Sequence, residues 1–420
     1  MNYNRSLFDF IKKCPSAYHT VASVAARLAE AGYTELSERD AWELRAGGKY
    51  YVCRNGTSLI AFNAAASTKG FMITASHSDF PSFRLKMTPE TSGAYTRLEV
   101  ERYGGMINYT WLDRPLSVAG RVLVRTDEGI ESRLCNLDRD ICVIPSVAIH
   151  LNRAVNDGYK FNPAVDLLPL TGTSHGIMDV IAESVSSGRE DIIAHDLFVY
   201  NRDEGRELGI NNELILCPRL DDLGCVFASL EGFLAAKENE SVNVLAVFDN
   251  EEVGSATKQG AASTFLFDVL SRIAGDSYYS ALSNSLMLSA DNAHAKHPSH
   301  PELSDPDNSP VLNGGVVIKW NASQSYATDG ASMAVFKEIC ERAGVKTQTY
   351  YNRADMPGGS TLGSISNTKV SVPTVDIGLP QLAMHSANET AGSADLSEMI
   401  SAITAFYSTS VKREGNKTYF

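Results

Sequence analysis

Residues 242–255 read VNVLAVFDNEEVGS, a continuous apolar run followed directly by a turn that carries two adjacent acids. A short run of this composition is typical of a strand buried on both faces, as in parallel sheets. Glu251 and Glu252 therefore follow the end of a core strand. Acids are seldom found there without a partner, and a metal ion is one partner that would stabilise both. The alternative is a solvated loop with two surface acids.

The same pattern recurs along the chain, where apolar strand candidates alternate with helical periodicity. The strand candidates are FMITAS (71–76), SLMLSA (285–290), GGVVIKW (314–320) and TVDIGL (374–379), and the helix candidates run from about 222 to 237, after 260, near 330–343 and near 392–412. Residues 6–32 predict two more helices, separated at Cys14-Pro15. This alternation predicts an α/β fold with a mixed, mostly parallel sheet between helices.

The middle of the chain, residues 91–212, has a different pattern. Its short strand candidates are separated by turn residues and show little helical periodicity; they are RLEVERYGG, SVAGRVLVR, GIESRLCNL and DLFVYN. We therefore predict an inserted β-rich domain at 91–212. The segments 1–90 and 213–420 would then be the two parts of the main domain.

The composition excludes some classes of partner. The chain has 420 residues, 44% of them hydrophobic, and a net charge of −13, which repels phosphate backbones and anionic lipid. The N-terminus lacks the apolar region of a secretory signal, and no segment approaches about 18 consecutive apolar residues. Seven cysteines include no CxxC pair. We therefore expect a cytoplasmic protein that binds neither nucleic acid nor a membrane.

Potentially reactive side chains follow five apolar runs of the sequence. In α/β sheets such groups gather at the carboxyl ends of the strands. The positions are His77 and Asp79 after FMITAS, Asp221-Asp222 after LILCPRL, Glu251-Glu252 after VNVLAVF, Asp291 after SLMLSA, and His385 after TVDIGLPQLAM. Together they offer carboxylates and imidazoles in numbers suited to two metal ions.

Each position also has a simpler interpretation. His77 could be a hydrogen-bonded histidine at a strand end; as a metal ligand, it would have Asp79 to fix its tautomer. Asp221 and Asp222 precede a helical pattern and could be an N-cap and a first-turn acid. Asp221 could instead bridge two cations, while Glu251, unligated, could serve as a base with a raised pKa.

Two further motifs are interpreted as loops. His294, His297 and His300 form an HxxHxxH string, but the following prolines favour a solvated turn over a third metal site. The glycine-rich stretch 357–363 lacks the lysine of a phosphate-binding loop, so we expect a tight turn beside the site.

Eight strings of the sequence resemble those of the aspartyl aminopeptidases, a family of dinuclear zinc exopeptidases. They are CPSAYHT (14–20), SHSD (76–79), TWLDRPLSVAGRV (110–122), VAIHLNR (147–153), RLDDLGC (219–225), FDNEEVGS (248–255), SADNAHAKHP (289–298) and PQLAMHSANE (380–389). The resemblance extends over nearly the whole chain. It implies a zinc exopeptidase fold and an enzyme that removes an acidic N-terminal residue from peptides with a free N-terminus.

The resemblance also implies roles for individual residues. Five of them would hold two divalent metals: Asp221 as the bridging ligand, Glu252 and His385 on one metal, His77 and Asp291 on the other. Glu251 would be the general base, and the Asp221–Asp222 peptide bond would be cis. Zn²⁺ is the expected metal, although these ligand types also accept Mn²⁺ or Co²⁺.

The same resemblance implies an assembly of subunits. The inserted domain would form dimer contacts within a tetrahedral dodecamer, and His150 would reach into a neighbouring subunit's site. Lys319, in VVIKW, would lie in the pocket for the acidic side chain, and we assign Met384 to the same substrate pocket. The chain departs from mammalian-type members after this lysine, because residues 321–330, NASQSYATDG, contain no arginine.

Two other functions are compatible with the sequence. A hydrolase with the same type of metal site could act as a carboxypeptidase or an N-acyl deacylase, with Lys319 binding a terminal carboxylate. A catalytically silent assembly protein could also keep this fold. Such a protein would be expected to have lost ligands, whereas all the key positions named above are present.

Overall fold

The computed structural model describes residues 2–91, 93–174, 176–356 and 358–420. Its α-helices are α1 Tyr3–Lys12, α2 Ala17–Glu30, α3 Pro163–Asp166, α4 Ile177–Ser184, α5 Leu220–Ala235, α6 Phe265–Ala274, α7 Tyr278–Ser283, α8 Gly330–Arg342, α9 Leu362–Ser366 and α10 Asp395–Tyr407. Of the helices in these ranges, none combines the length and the apolar character needed to cross a membrane.

The strands carry the numbers β1 to β22 in chain order. They are β1 Thr34–Leu36, β2 Lys49–Arg54, β3 Ser58–Asn63, β4 Phe71–His77, β5 Ser82–Thr91, β6 Thr96–Tyr103, β7 Leu116–Thr126, β8 Gly129–Asn136, β9 Leu170–Gly172, β10 Ile192–Asn201, β11 Arg206–Leu208, β12 Leu214–Cys217, β13 Val242–Phe248, β14 Leu286–Ala290, β15 Ala293–His294, β16 Val316–Trp320, β17 Thr347–Tyr351, β18 Thr374–Gly378, β19 Pro380–Leu382, β20 Glu389–Gly392, β21 Lys412–Glu414 and β22 Lys417–Tyr419.

A nine-stranded sheet forms the centre of the molecule, in the order β1-β2-β3-β13-β4-β14-β18-β16-β17. Its middle strands β13, β4, β14 and β18 run parallel to one another, whereas β3 and β16 are antiparallel to their neighbours β13 and β18. The prediction of a mixed, mostly parallel sheet is therefore confirmed. So is the prediction of two N-terminal helices on either side of Cys14-Pro15.

Helices cover both faces of this sheet, as the continuous apolar runs require. Along β13, Leu245 and Val247 face the core shared with α1, α2, α5, α8 and α10. Val244 and Ala246 face the opposite core, shared with α6, α7 and α9. Every residue of β13 and β4 is buried, and full burial of a Val or Leu side chain contributes about 1.5–3 kcal/mol. The carboxyl ends of these strands are thereby held in fixed positions.

A six-stranded antiparallel sheet, in the order β8-β7-β10-β5-β6-β9, has a separate hydrophobic core. Its strands lie between Ser82 and Asn201 in the sequence. Strand β5 begins before residue 91, the predicted start of the inserted domain, and α4 was not expected in this segment. This helix buries Ile177 and Ile181 against the same core.

A five-stranded sheet, β11-β12-β20-β19-β15, adjoins the carboxyl ends of the central strands. Strands β19 and β20 form an antiparallel pair, and the loop between them contains His385. Strand β15 pairs with β19 directly after Asp291 and Asn292. This small sheet therefore holds the His385 loop beside the ends of β4, β13 and β14.

Candidate active site

Adjacent parallel strands bring most of the candidate residues to one edge of the central sheet. His77 is the last residue of β4, and Phe248, the last residue of β13, is its neighbour in register. Glu251 and Glu252 lie in the turn that follows β13, and Asp291 directly follows β14. Strand pairing therefore determines which side chains meet at this edge.

The five predicted metal ligands lie together there. Together with Asp222 and Glu251 they form three overlapping groups, and the potential ligand atoms of each group lie within 4.8 Å of one another. The groups are His77 with Asp221, Asp222 and Asp291; His77 with Glu251 and Glu252; and Asp221 with Glu252 and His385. The Asp221 carboxylate lies between the two imidazoles, with Oδ1 3.5 Å from Nε2 of His77 and Oδ2 3.5 Å from Nε2 of His385. Nε2 of His385 is also 3.4 Å from Oε1 of Glu252.

Hydrogen bonds fix the tautomers of both imidazoles. Nδ1 of His77 donates to the carbonyl oxygen of Asp79 at 3.0 Å, and Nδ1 of His385 donates to that of Gly105 at 2.8 Å. Because a carbonyl can only accept, both rings carry their proton on Nδ1 when they are neutral. Nε2 of each ring is then free to bind a cation beside Asp221.

The side chain of Asp79 joins several parts of the site. It is buried and accepts hydrogen bonds from the hydroxyl of Tyr103 at 2.7 Å and from the backbone N–H groups of Glu251 and Glu252 at 3.1 and 3.2 Å. Asp79 was predicted from the sequence to support His77. It does so through its backbone carbonyl, while its carboxylate holds the turn that carries the two glutamates.

The six-stranded sheet reaches the site through residues 103–105, at the end of β6. Tyr103 binds Asp79, and Gly105 accepts the hydrogen bond from His385. Gly104 has a φ of +76°, and a Cβ atom added there would lie 3.1 Å from Oε2 of Glu252. A glycine therefore allows the backbone to pass directly beside a candidate ligand.

The interpretation of Asp221-Asp222 as simple helix-capping acids is wrong for Asp222. Its fully buried carboxylate accepts a hydrogen bond from the backbone N–H of His77 at 3.1 Å. The Asp221–Asp222 peptide bond is cis, as the resemblance implies. Asp222 thus connects the start of α5 to the end of β4.

The electrostatics of the cluster fit a bound cation. Burial and the nearby Asp221 raise the pKa of Glu252 well above its usual range, and burial together with Asp291 raises the pKa of Glu251 to about 7. Burial opposes ionisation of Asp221, but the neighbouring imidazoles of His385 and His77 hold its pKa low. Oδ1 of Asp221 and Oε1 of Glu252 are buried and make no hydrogen bond. Crowded buried carboxylates of this kind are stabilised by a divalent cation.

A cavity of about 210 Å³ opens beside the cluster. Its lining includes the predicted residues His77, Asp221, Glu251, Asp291, Lys319, Met384 and His385, and it also includes Asn292, Ala293, His294, Tyr326, Tyr350, Gly359, Ser360 and Thr361. The size and position of the cavity suit one amino-acid side chain next to the cluster.

Lys319 lies at the buried side of this cavity and is only 2% exposed. Its ammonium group donates to the carbonyl oxygens of Asp291 at 2.7 Å and Asn292 at 3.2 Å, and it lies 3.6 Å from Oδ2 of Asp291. Burial opposes its charge, but Asp291 raises the pKa of Lys319. Lys319 therefore stays protonated and holds Asp291 in place.

His150 lies apart from the other candidate residues. It is exposed in the connection between β8 and α3, and it belongs neither to the carboxylate–imidazole groups nor to the lining of the cavity. Within one subunit, the structure does not bring it to the cluster.

The two motifs interpreted as loops contribute to the cavity in part. His294, His297 and His300 are all exposed, and His294 also lines the cavity. Within the glycine-rich stretch, Gly359, Ser360 and Thr361 line the cavity, as expected for a segment beside the site. Pro357 lies outside the described residues. His294 could have been selected from its position only three residues after Asp291.

An α/β sheet whose strand ends present two imidazoles and several buried carboxylates is the arrangement of a metal-dependent hydrolase. Residues 10–407 match the family described as aminopeptidase I zinc metalloprotease (M18). The chain belongs to this M18 family of zinc metalloprotease aminopeptidases.

Relatives and solved structures support the assignment over nearly the full length. A probable M18 family aminopeptidase 2 of Clostridium acetobutylicum is 46% identical, with 97% of this chain and 99% of the relative covered. The structure of the Ape4 and Nbr1 complex is 33% identical, with a TM-score of 0.93 over 96% of this chain and 85% of that one. The S. cerevisiae mApe1 dodecamer is 28% identical, with a TM-score of 0.84 over 97% of this chain and 96% of that one.

Proposed function

We propose that this aminopeptidase uses two divalent metal ions, with Zn²⁺ as the expected metal, and that it prefers peptides with an acidic N-terminal residue. The observation that carries the two-metal proposal is the Asp221 carboxylate, with one oxygen near each imidazole. Asp221 would bridge the metals, Glu252 and His385 would complete one site, and His77 and Asp291 the other. This donor set also accepts Mn²⁺ or Co²⁺.

Glu251 is the general base of the proposed reaction. When bound, the two metals supply Lewis-acid activation of water and of the substrate carbonyl. Glu251 lines the cavity, and its turn is held by the hydrogen bond from its backbone N–H to Asp79. A carboxylate at this position can take a proton from water and later deliver it to the leaving amine.

The proposed acidic preference rests on a positive charge at the buried side of the cavity. Lys319 stays protonated there, and a substrate carboxylate in the cavity would be attracted by it. His294 and Tyr326 line the same cavity and can hydrogen-bond an oxygen of the side chain. Because residues 321–330 contain no arginine, Lys319 would be the main basic group for this preference.

A free N-terminal amine is expected to be required. We expect a peptide with N-terminal Glu to be cleaved after its first residue, whereas its N-acetylated form should be cleaved more slowly by about two orders of magnitude or more. The measurement is kcat/KM for both peptides, with products identified by mass spectrometry. Matched peptides with N-terminal Leu and Lys serve as controls for side-chain preference.

The products separate this proposal from its main alternatives. Cleavage of the acetylated peptide alone would support a deacylase, and release of the C-terminal residue would support a carboxypeptidase. Equal rates for Glu, Leu and Lys would remove the acidic preference but leave the aminopeptidase proposal intact.

We also propose that the segment 91–212 mediates dimer contacts within a dodecamer, with His150 acting in a neighbouring subunit's site. Val147, Ile149 and Leu151, which flank His150, are 52%, 47% and 83% exposed. Exposed apolar side chains around a histidine are typical of a subunit interface. A structural neighbour, S. cerevisiae mApe1, is itself a dodecamer.

A complementation experiment tests the position of His150. His150→Ala and Glu251→Gln are each expected to have little activity as homo-oligomers. When the two variants are co-expressed, subunits with Glu251 can receive His150 from a neighbour, so that activity should return to a substantial fraction of the wild-type value. If mixed oligomers form but stay inactive, His150 does not act between subunits.

We further propose a reducing, cytoplasmic location for the protein. The seven cysteines are all unpaired and six of them are buried. Buried free thiols are typical of proteins from reducing compartments.

A further inference from the structure

Glu389 is a buried acid that the proposed mechanism does not use. It is the first residue of β20 and is only 2% exposed. Its Oε2 accepts a hydrogen bond from the backbone N–H of Asp221 at 2.9 Å, and its Oε1 accepts one from the backbone N–H of His385 at 2.7 Å. One carboxylate therefore holds two distant chain segments together.

Left-handed residues lie in or next to both segments. His385 has a φ of +65°, in the left-handed region that residues other than glycine rarely adopt. Asp221 follows closely after Arg219, which also has a left-handed conformation with a φ of +59°. Because each carboxyl oxygen of Glu389 accepts one backbone N–H, a single side chain is well suited to fix both turns.

We infer that Glu389 is a positioning residue that holds Asp221 and His385 at the correct separation for one common metal ion. Glu389 is not itself a member of the carboxylate–imidazole groups, because both of its oxygens face backbone N–H groups. The inference rests on the proposed function, in which Asp221, Glu252 and His385 share one metal. It predicts that loss of Glu389 weakens this metal site more than the site of His77 and Asp291.

Asp395 provides a matched control. It is also buried, at 1% exposed, and its two oxygens accept hydrogen bonds from the backbone N–H groups of Asn313 at 2.7 Å and Gly315 at 2.9 Å. None of these three residues belongs to the candidate site. Replacing Asp395 with Asn therefore damages a comparable backbone clamp without touching the metal ligands.

The test is the zinc content per chain as a function of chelator concentration, with thermal unfolding measured in parallel. Glu389→Gln keeps the shape of the side chain, but its amide nitrogen cannot accept a hydrogen bond. We expect it to lose one of two zinc ions at chelator concentrations about 10–100-fold lower than the wild type does. The second ion should be retained, and Asp395→Asn should keep both ions at wild-type chelator concentrations even if it unfolds at a lower temperature.

The outcomes separate this inference from the proposed function. A wild-type protein that never holds two ions would contradict the proposed function itself. Suppose that the wild type holds two ions. The positioning role is wrong if Glu389→Gln releases its ions at the same chelator concentrations as the wild type does. It is also wrong if Glu389→Gln releases both ions together. Should Glu389→Gln not fold, Glu389→Asp, which keeps the charge but shortens the reach, gives the same comparison with a smaller expected shift.

Discussion

Glu251→Gln is expected to lower kcat by about two to four orders of magnitude while leaving the metal content unchanged. Gln has nearly the same shape as Glu but cannot take up a proton. The backbone N–H of residue 251 still donates to Asp79, so the turn that carries Glu252 should stay in place. The measurements are steady-state kinetics on a peptide with a free N-terminus and zinc content per chain.

The control for this variant is Glu338→Gln, which removes the charge of a half-buried glutamate on α8 that pairs with Arg342 at 2.9 Å. It should retain wild-type activity and metal content. If Glu251→Gln has a near-normal rate, Glu251 is not the general base. If it loses its metals, its role is that of a ligand instead.

Asp221→Asn is expected to remove both metals and to reduce activity to the level of metal-free protein. An amide has one oxygen and no negative charge, so it cannot replace a carboxylate that faces two imidazoles, each with its Nε2 3.5 Å away. The remaining carboxylates would then be too few to hold two cations at neutral pH. Zinc content and activity are measured on the same preparation, before and after addition of excess Zn²⁺.

Asp395→Asn again serves as the control, because Asp395 is equally buried but lies away from the candidate ligands. It should bind two ions and remain active. If Asp221→Asn retains two tightly bound ions and wild-type activity, Asp221 is not a bridging ligand.

The parts of the fold that follow from local patterns could be predicted from the sequence. Apolar runs such as residues 242–248 form buried strands, and the mostly parallel sheet follows from their alternation with helices. Helix α4 was missed because it has only eight residues, too few for a clear helical period, within a β-rich segment.

The candidate ligands could be predicted because each lies at the end of a strand or shortly after one, where the chain order determines its place. Apart from Asp79, their supporting residues could not, since contacts such as those of Tyr103 and Glu389 join segments far apart in the sequence. Asp222 was misinterpreted for the same reason: its partner is the backbone of β4 rather than its own helix. Likewise, only the packed structure shows that the Lys319 ammonium group holds the backbone of Asp291.

Titration of the metal-free protein with Zn²⁺ tests the central claim most directly, when bound zinc per chain and release of the N-terminal residue are followed together. The expected result is two bound ions per chain, with full activity recovered only when both are present and only on peptides with a free N-terminus. Full activity in the metal-free protein, or with a single bound ion, would contradict the two-metal aminopeptidase proposed for this chain.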